Sequence, residues 1–160
     1  MSLSYSGMPT QRAQTLWAGG TDDNDQPPER VTAPERMPCR HCLGYVEPGE
    51  DALILGYRPF ESLQPYAETG PIFLHAELCV AYDREAGLPP RTLHADLVLL
   101  KGYSRRDRIV YGLGALVPPS EIETRATVML ADPRVAYVHM RSATNNCFTL
   151  RIDMKDAQKT

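Results

Sequence analysis

Four residues carry the clearest chemistry in this 160-residue chain: Cys39 and Cys42 in the run Cys39-Arg-His-Cys42, then His75 and Cys79 after a long interval. Two thiols separated by two residues can grip one ion from a tight turn, and a histidine and a cysteine at i and i+4 share one face if their segment is helical. Three thiolates and a neutral imidazole around Zn²⁺ leave one net negative charge and no open coordination position, so the expected site is structural rather than catalytic. His41 lies inside the first pair, and both it and His75 are candidates for the nitrogen donor. Two other readings of the cysteines stand beside the metal: reduced thiols that hold no ion, and a redox C-x-x-C pair. The redox reading requires a helix opening after a buried strand, whereas Pro34 and Pro38 precede Cys39 here.

A second group of chemistry-bearing residues falls near the C-terminus. Val135–Arg141 and Cys147–Asp153 are β-rich runs joined by Ser142-Ala-Thr-Asn-Asn146, which reads as an antiparallel hairpin. Pairing Arg141 with Cys147 puts Ala136, Val138, Met140, Phe148, Leu150 and Ile152 on one face, and Tyr137, His139, Arg141, Cys147, Thr149, Arg151 and Asp153 on the other. On the polar face His139 offers a titratable group, Arg141 a bidentate anion binder, and Asn145 and Asn146 amide donors, a set suited to a small anionic ligand. His139, Arg141 and Cys147 are the only candidates for catalysis, with Cys147 needing a base to become a nucleophile. The plain alternative is that this face simply meets water, as one face of an antiparallel sheet normally does. Arg58 and Tyr66, in the loop between the two halves of the metal set, are further candidates for lining a ligand pocket.

The elements that must position these residues form an α+β chain. Ala13, Leu16 and Trp17 repeat at helical spacing before Gly19-Gly20, predicting a helix over 9–18, and the Pro-rich polar stretch 19–38 reads as a surface loop. Residues 39–87 form a zinc-finger-like unit, with a strand over 52–57 and a helix over 75–87 that carries His75 and Cys79. Residues 94–154 hold strands at 96–102 and 108–117, a helix over 120–131 opened by a Ser120/Glu123 capping box, and the terminal hairpin. The expected whole is a single domain: a treble-clef-like zinc unit inserted in a mainly antiparallel sheet with flanking helices.

Composition narrows the rest. Hydrophobic residues make up 42%, enough for a packed core, which rules out disorder over the full length. A net charge of −3, from 17 basic and 20 acidic side chains, provides no overall positive field for nucleic acid or anionic lipid. No run approaches the roughly 20 apolar residues of a membrane span and no secretory signal is evident, so a cytoplasmic protein is expected. The partner expected is a small anionic molecule or another protein, not a membrane.

Two resemblances follow from these residues. The knuckle Cys39–Cys42, the run Val46-Glu-Pro-Gly-Glu50 and the block Phe73-Leu-His75-Ala-Glu-Leu-Cys79 resemble the treble-clef fingers of LIM and poly(ADP-ribose)-polymerase type, which implies a structural zinc ion and a ligand-bearing helix. The blocks Pro38-Cys-Arg-His-Cys-Leu43, Tyr57-Arg-Pro-Phe60, Pro65–His75, Asp107–Gly112, Val135–Ala143 and Asn145–Phe148 are similar to a bacterial family catalogued as domain of unknown function 1203. That likeness implies a bacterial cytoplasmic protein and transfers no catalytic residue. The function expected is a zinc-stabilised binding or interaction module. The alternative is an enzyme acting on a small anionic substrate through His139 and Arg141.

Overall fold

The computed structural model describes residues 2–155. The described residues form ten strands and two α-helices: β1 Leu3–Ser6, α1 Thr10–Trp17, β2 Glu29–Thr32, β3 Met37–Pro38, β4 Tyr45–Val46, β5 Asp51–Tyr57, β6 Gly70–His75, β7 Val98–Tyr103, β8 Ala115–Val117, α2 Ile122–Ala131, β9 Tyr137–Ser142 and β10 Phe148–Met154. Every pairing between these strands is antiparallel, and the α+β class read from the sequence holds. The contacts divide the chain into two compact units, Gly7–Tyr82 and the pair of segments Met1–Ser6 with Asp83–Thr160.

The split unit is a five-stranded sheet in the order β1-β10-β9-β7-β8. Alternation along the strands places Leu100, Val138, Met140, Leu150 and Ile152, all buried, on one face. Helix α2 lies over that face through Ile122, Ala126 and Met129. It packs closely at Gly102, where an added Cβ would meet Met129 Cε and Val135 Cγ2 at 3.3 Å. Tyr5 of β1 donates its hydroxyl to Glu123 of the helix at 3.0 Å. Although the helix falls where its periodicity put it, the Ser120/Glu123 capping box does not form. A single 3-10 turn over Pro119–Glu121 leads into the helix without any side-chain cap. The strand expected over 108–117 shortens to Ala115–Val117, because left-handed Asp107 (φ 59°) and Gly112 (φ 90°) turn the preceding residues into a loop.

The Gly7–Tyr82 unit is built on the sheet β2-β5-β6 and the small hairpin β3-β4. The stretch expected as featureless loop contributes β2, which pairs with β5 from Glu29↔Ile54 to Thr32↔Asp51. The loop before it is ordered by a buried carboxylate. Asp22 accepts the backbone N–H groups of Asn24, Gln26 and Gly56 at 2.8–3.1 Å. Because it deletes buried apolar atoms from the other unit's sheet, Leu150→Ala should lower unfolding free energy by about 2–5 kcal/mol, whereas Val128→Ala on the exposed side of α2 should stay within about 0.5 kcal/mol. Urea denaturation of both variants measures this.

Candidate metal centre

The first two sulfurs are held by a tight turn between β3 and β4. Cys39 N–H donates to the Gly44 carbonyl at 2.9 Å and Leu43 N–H to the Cys39 carbonyl at 3.1 Å, closing a loop whose tip bears Arg40, His41 and Cys42. Leu43 takes a left-handed conformation (φ 57°), a strain of about 1–2 kcal/mol that its complete burial helps to offset. The turn is fastened to β6 by Arg40 N–H, which donates to the Phe73 carbonyl at 3.0 Å, two residues before His75.

The helix expected over 75–87 is absent. Pairing of β6 with β5 runs on to Ala52↔His75, and Ala76 N–H still donates to the Asp51 carbonyl at 3.1 Å. A residue committed to an extended ladder cannot open a helix, so sheet pairing overrides the helical propensity of Ala76-Glu-Leu. From Ala76 the chain turns back through bends, with Tyr82 N–H reaching the His41 carbonyl at 3.3 Å, and Asp83–Ala86 forms a turn rather than a last helical turn. His75 and Cys79 therefore meet across a strand end and a loop. The treble-clef expectation loses its ligand-bearing helix.

The four donors nevertheless converge. One ligand atom from each of Cys39, Cys42, His75 and Cys79 lies within 4.8 Å of all the others, close enough to bind a metal ion. Cys39 Sγ and Cys79 Sγ are 3.9 Å apart, and Cys42 Sγ is 3.7 Å from His75 Nδ1. Bond lengths of about 2.3 Å for Zn–S and 2.0 Å for Zn–N at a tetrahedral angle imply separations of roughly 3.5–3.8 Å, close to these two distances. All four cysteines are free thiols. Without a cation three neighbouring thiols cannot all ionise. Hydrogen bonds from Cys42 and then Cys79 pull the Cys39 pKa down, while sharing that bond with Cys39 pushes Cys42 and Cys79 up.

His41 occupies a different place. Its Nδ1 is 3.1 Å from Cys79 Sγ, closer than two ligands of one zinc ion would sit, and its Nε2 is 2.9 Å from Thr10 Oγ1. The ring is 1% exposed, with Trp17 against its edge at 5.3 Å between centroids. Trp17 also donates its indole N–H to the His75 carbonyl at 2.8 Å. Helix α1 thus fastens both histidines, and the geometry takes His75 as the fourth donor.

Residues 36–154 match the family described as a protein of unknown function, DUF1203. The chain belongs to this family. No curated protein and no solved structure matches it. The DUF1203 match spans the four donors and the terminal hairpin alike.

The hairpin residues are arranged differently from the expectation. β9 and β10 pair as Val138↔Ile152, Met140↔Leu150 and His139↔Arg151, but a bulge between Phe148 and Leu150 sets Phe148, not Cys147, opposite Arg141. Phe148 leaves the apolar face and joins His139, with 4.9 Å between ring centroids, where Tyr103 and Tyr137 also pack at 4.8 and 5.1 Å. The expected polar surface is accordingly buried: His139 is 1% exposed and Arg141 3%. Arg141 donates to the Asn146 carbonyl at 3.3 Å and its Nη2 lies 3.5 Å from His139 Nδ1. Tyr137 donates to Asp107 at 2.7 Å and stacks under the Arg151 guanidinium at 4.0 Å, while Arg151 forks onto Asp153. Asn145 and Asn146 are exposed at the turn, and the Cys147 thiol points to the Asn145 carbonyl at 3.8 Å. In the other unit, Arg58 and Tyr66 shape loops: Arg58 binds Asp23 through its backbone N–H and the Phe60 carbonyl through Nε, and Tyr66 N–H caps the Gln64 side chain.

Burial, reinforced by Arg141, Arg151 and Lys101, holds His139 neutral well below the usual imidazole pKa. Such a group binds its proton more readily in the unfolded chain, so its contribution to stability is complete above about pH 6.5 and is lost as pH falls below that value. Wild type should weaken relative to His139→Leu between pH 7.5 and pH 5 in paired urea titrations. A difference that stays constant with pH would refute the neutral, buried imidazole.

Proposed function

We propose that the Cys39, Cys42, His75 and Cys79 group holds a structural zinc ion and that the protein is a zinc-stabilised binding or interaction module of a reducing, bacterial cytoplasm. The convergence of three sulfurs and one imidazole nitrogen carries this reading. Borderline-soft Zn²⁺ suits thiolate and imidazole donors, and four protein ligands leave no position for a reacting water. Zinc would let all three thiols ionise together, relieving the conflict that splits their proton affinities. Free thiols are the form expected where glutathione keeps cysteines reduced. Among the described residues, no helix is long and apolar enough to cross a membrane.

The partner favoured is another protein. Leu78 and Val80, 79% and 86% exposed, flank Cys79 on the loop that completes the donor set and offer apolar contact to a macromolecule. The alternative of an enzyme acting on a small anion with His139, Arg141 and Cys147 is disfavoured. His139 and Arg141 are both buried, His139 among aromatic rings, and Phe148 takes the place opposite Arg141 that Cys147 needed.

Structural zinc sites contribute about 10–16 kcal/mol of apparent affinity, comparable to the whole stability of a domain. Elemental analysis of freshly purified protein should therefore give one zinc per chain. Chelation should abolish slow amide exchange in Gly7–Tyr82. Protein that carries no metal, or that keeps its exchange protection after chelation, would overturn the structural-zinc reading.

A further inference from the structure

We propose that His41 is a positioning residue for the metal centre: it donates its Nδ1 proton to the Cys79 sulfur, with its tautomer fixed by the Thr10 hydroxyl. The inference rests on the metal reading given above and extends it to a residue outside the donor set.

Cys79 has the weakest hold of the four donors. Cys39 and Cys42 belong to a hydrogen-bonded turn and His75 ends a paired strand, whereas Cys79 lies in an irregular stretch four residues past the ladder. Besides its fellow donor Cys39 at 3.9 Å, the fully buried His41 reaches its sulfur with Nδ1 at 3.1 Å, a length suited to N–H···S. A neutral imidazole carries one donor and one acceptor nitrogen. A cysteine that has given up its proton to bind a metal can only accept, so Nδ1 carries the hydrogen and Nε2 accepts from Thr10 Oγ1 at 2.9 Å. Thr10 is the first residue of α1, and Trp17, its last, braces the same ring while donating to the His75 carbonyl. One short helix thus sets the orientation of the donor to Cys79 and the backbone of the nitrogen ligand. An N–H bond to a thiolate withdraws charge from it, which shields the sulfur from protons and electrophiles, and it holds the sulfur in place toward the metal, so release slows.

His41→Phe keeps the ring packed and removes both nitrogens. His41→Asn places an amide N–H near the Nδ1 position, and Thr10→Val leaves His41 intact while removing the hydroxyl at an exposed site where folding is not at stake. Three readouts separate the roles: metal content, zinc release to a chromogenic chelator, and alkylation of Cys79 by iodoacetamide resolved by peptide mass spectrometry. The Phe variant should bind one zinc yet release it on the order of 10–100-fold faster and alkylate faster at Cys79 alone. Asn should restore most of the wild-type rates, and Thr10→Val should fall between. In cobalt-substituted protein the thiolate-to-metal charge-transfer band should move to lower energy in the Phe variant, with the ligand-field bands of a tetrahedral site of three sulfurs and one nitrogen unchanged. Equal release, alkylation and charge-transfer energy in wild type and His41→Phe would overturn the role of His41, as would an Asn variant that behaves like Phe. If His41→Phe does not fold, wild-type rates in Thr10→Val and His41→Asn rates unlike wild type each overturn it. Absence of metal from the wild type would sink the metal reading instead, and with it the premise that the Cys79 sulfur only accepts.

Discussion

Three sulfurs brought within a few ångströms of one another are the constraint that organises Gly7–Tyr82. Each thiol that ionises makes the next harder to ionise, and burial of Cys39 sharpens the conflict because solvent cannot dilute the charge. A metal ion would remove the conflict, and the chain brings the four donors close enough together to bind one. A two-residue knuckle supplies two, the end of a strand supplies the third, and a loop returning past the knuckle supplies the last. Because sequence-distant segments meet at this point, one ion would do the work of a local core in a unit whose own sheets have only two and three strands.

The other unit resolves a comparable problem by opposite means. Its buried imidazole faces guanidinium and ammonium groups and is kept uncharged, enclosed by three aromatic rings. Tyr137 is pushed well above the usual phenol range by burial and by its bond to Asp107, and it remains a hydrogen donor. Cations are spread over the cluster in cation–π and forked contacts to Asp153. Polar side chains on this face are thus elements of packing, which is why residue types that look catalytic in sequence belong to the architecture here.

Much of the site was legible because metal ligation depends on residue type and spacing: Cys39, Cys42, His75 and Cys79 are named by a pattern that survives ignorance of the fold. The α+β class, α1, α2, β5, β7 and the hairpin followed from periodicity and turn residues. What failed depended on long-range pairing. The segment after His75 has helical composition, yet partnership with Asp51 and Ala52 decides its conformation. Strands β1 and β2 are four residues each, β6 opens on Gly70-Pro71, and their partners supply what their own patterns lack. A one-residue bulge at Thr149 sent Phe148 to the opposite face, and no local signal marks it. His41 stood in view inside the C-x-x-C pair, but its partner Thr10 is 31 residues away and only the fold joins them.

Strand β1 pairs with β10, from Leu3↔Met154 to Ser6↔Arg151, while the whole of Gly7–Tyr82 falls in sequence between β1 and the rest of its sheet. During synthesis β1 therefore emerges well before β10 and must wait for it before gaining a neighbour. Until then Leu3 and Tyr5 lack their burial, and closing that distance carries the entropy of a very long loop unless the intervening unit has already condensed and drawn its ends in. The connectivity therefore favours condensation of the cysteine-bearing unit before β1 finds its neighbour in β10.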